Sequence, residues 1–204
     1  MLVAQPHHST SSISHRYAQS LHISPIPSTK PNGVNRQPER YIPPVPEVPL
    51  SEQSFKLQEA LRAFRPLSGK YAEVSYKDAF NWEDIQLDED IEGEWYCVAF
   101  RSKRNRLVIN DEALYTADSL AHEEAKKGGG LLMYWYGVPD IITGVNLATC
   151  IWESRAHARA ANSRPEHIKA MRLAAQSYEM YTLERHVIWK ISGEKRISIE
   201  PYVE

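Results

Sequence analysis

From Trp95 onward the apolar residues switch between strand spacing and helix spacing. Trp95-Tyr96-Cys97-Val98-Ala99-Phe100 is aromatic, β-prone and apolar on both alternating faces, which predicts a strand buried on two sides. Asp111 offers an N-cap, and Leu114, Ala117, Leu120 and Ala121 recur at helical spacing until Gly128-Gly129-Gly130 stops the helix. Leu131 to Tyr136 resumes a strand, Gly137 to Gly144 makes a hairpin-like connection around Pro139, and Leu147 to Trp152 returns. Ser154 caps a helix over Ala156 to Ala161, which breaks at Asn162-Ser163-Arg164-Pro165. It continues with Ile168, Met171, Ala175 and Tyr178 on one face. Leu183 to Ile191 alternates as the last strand.

Strand, helix, strand, strand, helix, strand is the split βαβ order of the ferredoxin-like α+β fold. Its two helices cover one face of the sheet. The strands here are apolar on both faces, so the second face needs a cover, either the N-terminal segment or a partner sheet in a symmetric homodimer. Upstream, Ser51 caps a short helix carrying Phe55, Leu57, Leu61 and Phe64 and stopped by Pro66. The acidic stretch from Glu83 to Glu94 reads as a solvated loop, because it lacks the fixed alternation, glycine and distal glutamate of a calcium loop.

Composition divides the chain near residue 50. Nine of the thirteen prolines precede Leu50 among serines, histidines and asparagines, and no acid occurs before Glu39. Such a segment lacks apolar periodicity and reads as a disordered Pro/Ser-rich tail, with Tyr41 to Pro49 as an extended polyproline-like strap. The expected organisation is a tail over 1–50, a helix and acidic connection over 51–94, and the ferredoxin-like domain over 95–204. A formal net charge of -2 provides no global attraction to nucleic acid or an anionic membrane, so neither is an expected partner. The apolar run from Gly130 to Tyr136 is far too short to span a bilayer. Cys97 and Cys150 sit in strand-like runs without metal-ligand spacing, which points to reduced thiols, a cytoplasmic protein and no metal. The acid-poor, Ser-rich start with Arg16 also fits a mitochondrial transit peptide.

The run Asn146-Leu147-Ala148-Thr149-Cys150-Ile151-Trp152-Glu153-Ser154-Arg155 is followed by a helix, a Pro165-Glu166-His167 restart and a Tyr-rich closing helix and strand. This pattern resembles the dimeric α+β barrel superfamily, which includes cofactor-independent antibiotic-biosynthesis monooxygenases, haem-degrading enzymes and stress-response barrels. The block from Trp95 to Pro201 more closely resembles an uncharacterised protein family of fungi. The barrel resemblance implies a cavity between sheet and helices, enlisting Tyr134, Tyr136, Trp152 and Tyr178 as ligand-binding residues and His157 or His167 as acid/base. Aromatics enclose planar apolar ligands well, and a histidine near neutral pKa moves protons at pH 7.

Against this stands plain packing, since aromatics at strand or helix spacing are usually core. His157 and His167 lie near helix starts, His122 borders the polar face of its helix, and His186 follows Arg185 on an edge-like strand. Gly128-Gly129-Gly130 precedes a strand and so opens no phosphate-binding helix. The basic turn Arg101 to Arg106 lacks aromatics for base stacking. No nucleophile elbow, zinc-protease helix or dinucleotide fingerprint occurs. Three readings follow: a cofactor-independent acid/base enzyme acting on a small apolar or aromatic molecule, a non-catalytic dimer binding such a ligand or haem through a histidine, and an interaction scaffold recognised through its proline-rich tail.

Overall fold

The computed structural model describes residues 48–105 and 111–203. The Pro/Ser-rich tail and most of the polyproline-like strap lie outside them. Four strands, β1 (Gly93–Arg104), β2 (Leu131–Tyr136), β3 (Val145–Trp152) and β4 (Tyr178–Lys190), alternate with helices in the predicted order. Sheet order is β2-β3-β1-β4 with every neighbouring pair antiparallel, the ferredoxin-like arrangement, and a fifth strand, β5 (Ile197–Pro201), extends it beyond β4. Ahead of the sheet come α1 (Glu52–Ala60), capped by Ser51, and the short α2 (Tyr76–Ala79), capped by Ser75. Between the strands lie α3 (Asp111–Gly128), α4 (Arg155–Asn162) and α5 (Pro165–Ser177).

The caps follow the sequence. Ser154 Oγ accepts from the backbone N–H of His157 at α4, and Pro165 opens α5 where its missing N–H costs nothing. No side chain of α5's own N-cap residue closes that terminus. Glu124 of α3 reaches across instead, its Oε2 accepting from the N–H groups of Glu166 and His167 at 3.1 Å each. This carboxylate satisfies two orphan donors and sits favourably at the positive end of the helix.

Central strand β1 divides the molecule into two cores. Trp95, Cys97 and Ala99 face one way and meet Met133, Trp135, Leu147, Ile151 and Ile188, together with Leu57, Leu61, Phe64, Phe80 and Ile85 from the segment before the sheet. Phe64 stacks on Phe80 at 4.4 Å, and Phe80 meets Trp135 edge-on at 4.9 Å. Polar pegs fix the cover: Trp95 Nε1 donates to Ser54 Oγ at 2.9 Å, and Tyr76 OH bonds Thr149 Oγ1 at 2.6 Å. Buried Lys190 holds the acidic loop, its Nζ donating to the carbonyls of Ile91 and Ile191 at 2.8 and 3.0 Å. Residues 48–92 are therefore the cover over the second sheet face. Of the two covers expected for that face, the chain's own segment supplies Phe64, Phe80 and Trp82.

The opposite face carries Tyr96, Cys150 and Trp152 beneath Ala125, Ala158 and Ala161, with Val98, Phe100 and Tyr134 packed against them. Four expectations need correction. Helix α5 ends at Ser177, so Tyr178 begins β4 rather than closing a helical face, and β4 starts five residues before Leu183. Met171 and Ala175 are exposed, because α5 packs on α3 more than on the sheet. Leu120 is exposed too, since the buried stripe of α3 runs Leu114, Ala117, Ala121, Ala125. The acidic loop is not wholly solvated, as Ile85, Leu87 and Ile91 insert into the core between its exposed acids.

Trp135→Ala should lower stability by about 3–5 kcal/mol through the cavity it leaves. Tyr76→Phe should cost only about 1 kcal/mol, because Thr149 keeps its bond to the Val98 carbonyl. Urea denaturation of both variants checks the contrast.

Candidate functional site

Helical spacing puts Asp118 and His122 one turn apart on α3, beside the alanine stripe that meets the sheet. Tyr134 rises from β2 to meet them. Its hydroxyl donates to Asp118 Oδ1 at 3.2 Å and its ring lies edge-on to the His122 ring, centroids 3.6 Å apart. Tyr136 follows at 5.9 Å from Tyr134 on the same strand face. Tyr178 and Tyr181 of β4 stack at 5.5 Å and 18°, and Phe100 packs 6.2 Å from Tyr181. At the rim, the Arg104 guanidinium lies 5.2 Å from the Tyr115 ring and 5.9 Å from Tyr178.

Protein atoms crowd Asp118 closely enough for burial to raise its pKa, the Tyr134 hydrogen bond pulling the other way. Yet 45% of its side chain remains open to solvent. Asp118 is thus a half-exposed group at the edge of the helix layer. Tyr181 behaves alike: burial pushes its pKa strongly up while 41% of the residue stays accessible. Leu183, on the same strand face, is 44% exposed, so the helix layer does not close over this end of the sheet.

Burial holds His122 down to about 4, with neighbouring His167 adding to the effect. His122 is therefore neutral near pH 7, and its 3.9 Å approach to Asp118 is no ion pair there. Burial likewise lowers His167, whose Nδ1 is buried and makes no hydrogen bond. Tyr134 is raised well above its ordinary value, first by burial and then by the Asp118 charge. Burial pushes the Cys150 thiol up to about 12, so it is no nucleophile at neutral pH.

Of the predicted residues, Tyr134 and Tyr136 neighbour each other at 5.9 Å, Tyr178 lies near enough to Tyr134 to affect its titration, and His167 neighbours His122. Trp152 and His157 do not join them. Trp152 is buried at the far end of β3, its Nε1 donating to Cys150 Sγ at 2.9 Å. His157 engages Ser154 Oγ through Nδ1 at 3.0 Å and packs on Gly130, where a Cβ would come within 2.3 Å of the imidazole. Gly130 lies four residues before Tyr134, about 13 Å along the strand. Sequence reasoning did not single out Asp118 or Tyr181, and read His122 as a polar-face histidine and Arg104 as part of a basic turn; the signal available was the four-residue interval from Asp118 to His122, ahead of a tyrosine-rich strand. Among the described residues no group of three or more His, Cys, Asp or Glu side chains is placed to hold a metal ion. No described helix is long and apolar enough to cross a membrane.

Fold and side-chain cluster together define a ferredoxin-like α+β protein with a carboxylate, Asp118, set against Tyr134 and His122 on the helix side of the sheet. Residues 44–201 match the model of the PB2B2.08-like family, and the chain belongs to that family. It is 33% identical over 159 residues to UPF0643 protein PB2B2.08 of Schizosaccharomyces pombe, covering 71% of this chain and 72% of that one. Solved structures share its outline more distantly. Rv0793 from Mycobacterium tuberculosis has 11% identity and a TM-score of 0.38, over 45% of this chain and 91% of that one. A conserved protein from Methanosarcina mazei Go1 has 9% identity and a TM-score of 0.39, over 45% and 89%. SnoaB, a cofactor-independent oxygenase from Streptomyces nogalater, has 9% identity and a TM-score of 0.36, over 47% and 90%.

Two outcomes test the electrostatics. Unfolded histidine titrates near 6.5, so between that value and about 4 the unfolded chain binds a proton that folded His122 refuses. Stability should therefore fall as pH drops through this window, by up to about 3 kcal/mol, with His167 acting in the same direction and Asp118, raised rather than lowered, opposing it. His122→Gln should flatten the pH dependence in urea melts. Because the Tyr134 bond lowers the Asp118 pKa, Tyr134→Phe should raise it further, measurable by carboxyl NMR titration.

Proposed function

We propose that the chain binds a small molecule with an aromatic or apolar body in the cleft between α3 and β4, and that Asp118 is the proton acceptor there. The observation carrying this reading is the solvent-open Asp118, hydrogen-bonded by Tyr134, on the side of the sheet where Tyr181 of the Tyr178–Tyr181 stack is also partly exposed. Burial lifts the carboxyl toward the range where a base accepts protons usefully, and Tyr134 orients it. His122 and His167, both held down by burial, stay neutral beside it and leave the carboxylate as the base. The acid/base chemistry then rests on the chain's own groups, with the tyrosine faces holding the ligand body.

Titration of the purified full chain with 1-naphthol, followed by fluorescence, tests this. Saturable binding should weaken about tenfold in Tyr181→Ala, a partly exposed position whose loss removes one ring face. Equal binding by wild type and variant would reject the cleft as the ligand site. Haem is the alternative ligand: a Soret band on addition, lost in His167→Ala, would move the reading to a haem binder.

A further inference from the structure

We propose that the open pocket between segment 72–77 and strands β4 and β5 is a binding site in its own right, for a neutral molecule with a hydroxyl on an apolar body, the hydroxyl anchored by His186 and Glu184.

The pocket has a volume of about 610 Å³, within the range of roughly 300–1,000 Å³ usual for small-molecule sites. In the β1–β4 register Glu184 and His186 stand beside Ala99 and Cys97, which face the cover, so this pocket lies on the opposite side of the sheet from Tyr181 and Leu183. It opens at the margin where the cover meets β4 and β5. Arg101 fixes its wall: Nε donates to Glu184 Oε1, while Nη1 and Nη2 donate to the carbonyls of Ala72 and Val74 at 2.7 and 2.6 Å. Tyr76 braces the floor. Its ring lies 4.4 Å from the His186 imidazole at 31°, and its hydroxyl bonds Thr149. The polar groups therefore stand on strands, held by packed neighbours, which is the arrangement a precise site needs.

Arg101 occupies one oxygen of Glu184, and the other, Oε2, faces His186 Nε2 at 3.4 Å. A direct N–H···O bond spans roughly 2.7–3.2 Å, so these two atoms satisfy each other poorly. They are close enough for one ligand oxygen to reach both. A hydroxyl both accepts and donates: it can take the N–H of His186 protonated at Nε2 and give its own proton to Glu184 Oε2. An ether oxygen can do only the first. Burial holds His186 below the ordinary histidine range, the Glu184 hydrogen bond pulling the other way, so the ring is neutral at pH 7. Around this pair the formal charges balance, Glu73 and Glu184 against Arg101 and Lys77. A charged ligand of either sign meets a like charge here. A neutral apolar body instead meets Ala72, Val74, Ile199, Pro201 and the Tyr76 ring.

The test is a proton–nitrogen NMR titration of the full chain at pH 7 with four probes on one skeleton: decahydro-2-naphthol, its methyl ether, and the matching carboxylate and amine. The alcohol should shift the amide signals of Ala72 to Lys77 and of Ile199 saturably, and should bind about tenfold more tightly than the ether, the worth of one hydrogen bond. Both charged probes should be weaker than the alcohol. His186→Phe keeps a ring over Tyr76 and removes the nitrogens, so the preference for alcohol over ether should shrink to within about twofold. Tyr181→Ala, on the other face of the sheet, should leave this binding unchanged. Ether, carboxylate or amine binding as tightly as the alcohol, or an alcohol preference surviving His186→Phe, would overturn the proposal, and the ranking on the wild-type chain decides by itself if that variant does not fold. Absence of shifts at Ala72 to Lys77 and Ile199 would overturn it too, while leaving the reading of Asp118 to its own titration.

Discussion

The structure depends on one constraint: β1, the central strand, is apolar on both faces and must be covered on both. Trp95, Cys97 and Ala99 point one way; Tyr96, Val98 and Phe100 point the other. A ferredoxin-like arrangement supplies helices for only one face. The chain solves the second face in cis, folding residues 48–92 across it and inserting Leu57, Leu61, Phe64, Phe80 and Ile85. Gly93 marks where this cover turns into the sheet, with Trp95 folded back so tightly that a Cβ on the glycine would come within 2.6 Å of the indole. Since the cover buries more aromatic rings than the helix layer does, most of the packing stability lies on that side.

That imbalance leaves the helix side free to be open. Near Trp152 the helices approach closely because their contact residues are Ala125, Ala158 and Ala161. Toward Tyr181 and Leu183, both partly exposed, the helices are tied to each other, Glu124 of α3 capping α5. The cluster of Asp118, His122 and Tyr134 lies on this side of the sheet. Its chemistry follows from position: one carboxylate and one imidazole at the edge of a buried stripe, neither fully buried nor fully hydrated, titrate away from their ordinary values.

The strand and helix order from Trp95 to Ile191 was legible because strand and helix periods differ sharply, and because Ser154, Pro165 and the glycine run mark the boundaries. The face of α3 was harder to read. Leu120 is a stronger hydrophobe than Ala125, yet Leu120 is exposed and Ala125 is buried. On the buried side of α3, Asp118 and His122 also meet Tyr134, a tertiary contact that no single-helix pattern contains. Position on a helix decided the histidines similarly. His157 caps and packs against Gly130, while His122, which bordered the polar face by pattern, lies against an aromatic ring. Strand β5 escaped notice because Ile197 and Ile199 alternate over only five residues, following the turn at Gly193.

The family match starts at residue 44, ahead of Ser51 and α1, and ends at Pro201, the last residue of β5. It therefore takes in the cover over the second sheet face as well as the ferredoxin-like core, and the two are one unit physically. Removing the cover would expose Trp95, Trp135 and Ile188 together, an apolar surface that water would not tolerate in an isolated sheet. A partner sheet could take its place only by displacing the Phe64–Phe80–Trp135 cluster and the Tyr76–Thr149 bond. That face is filled from within the chain, whereas on the helix side Asp118 and Tyr181 remain partly open to solvent.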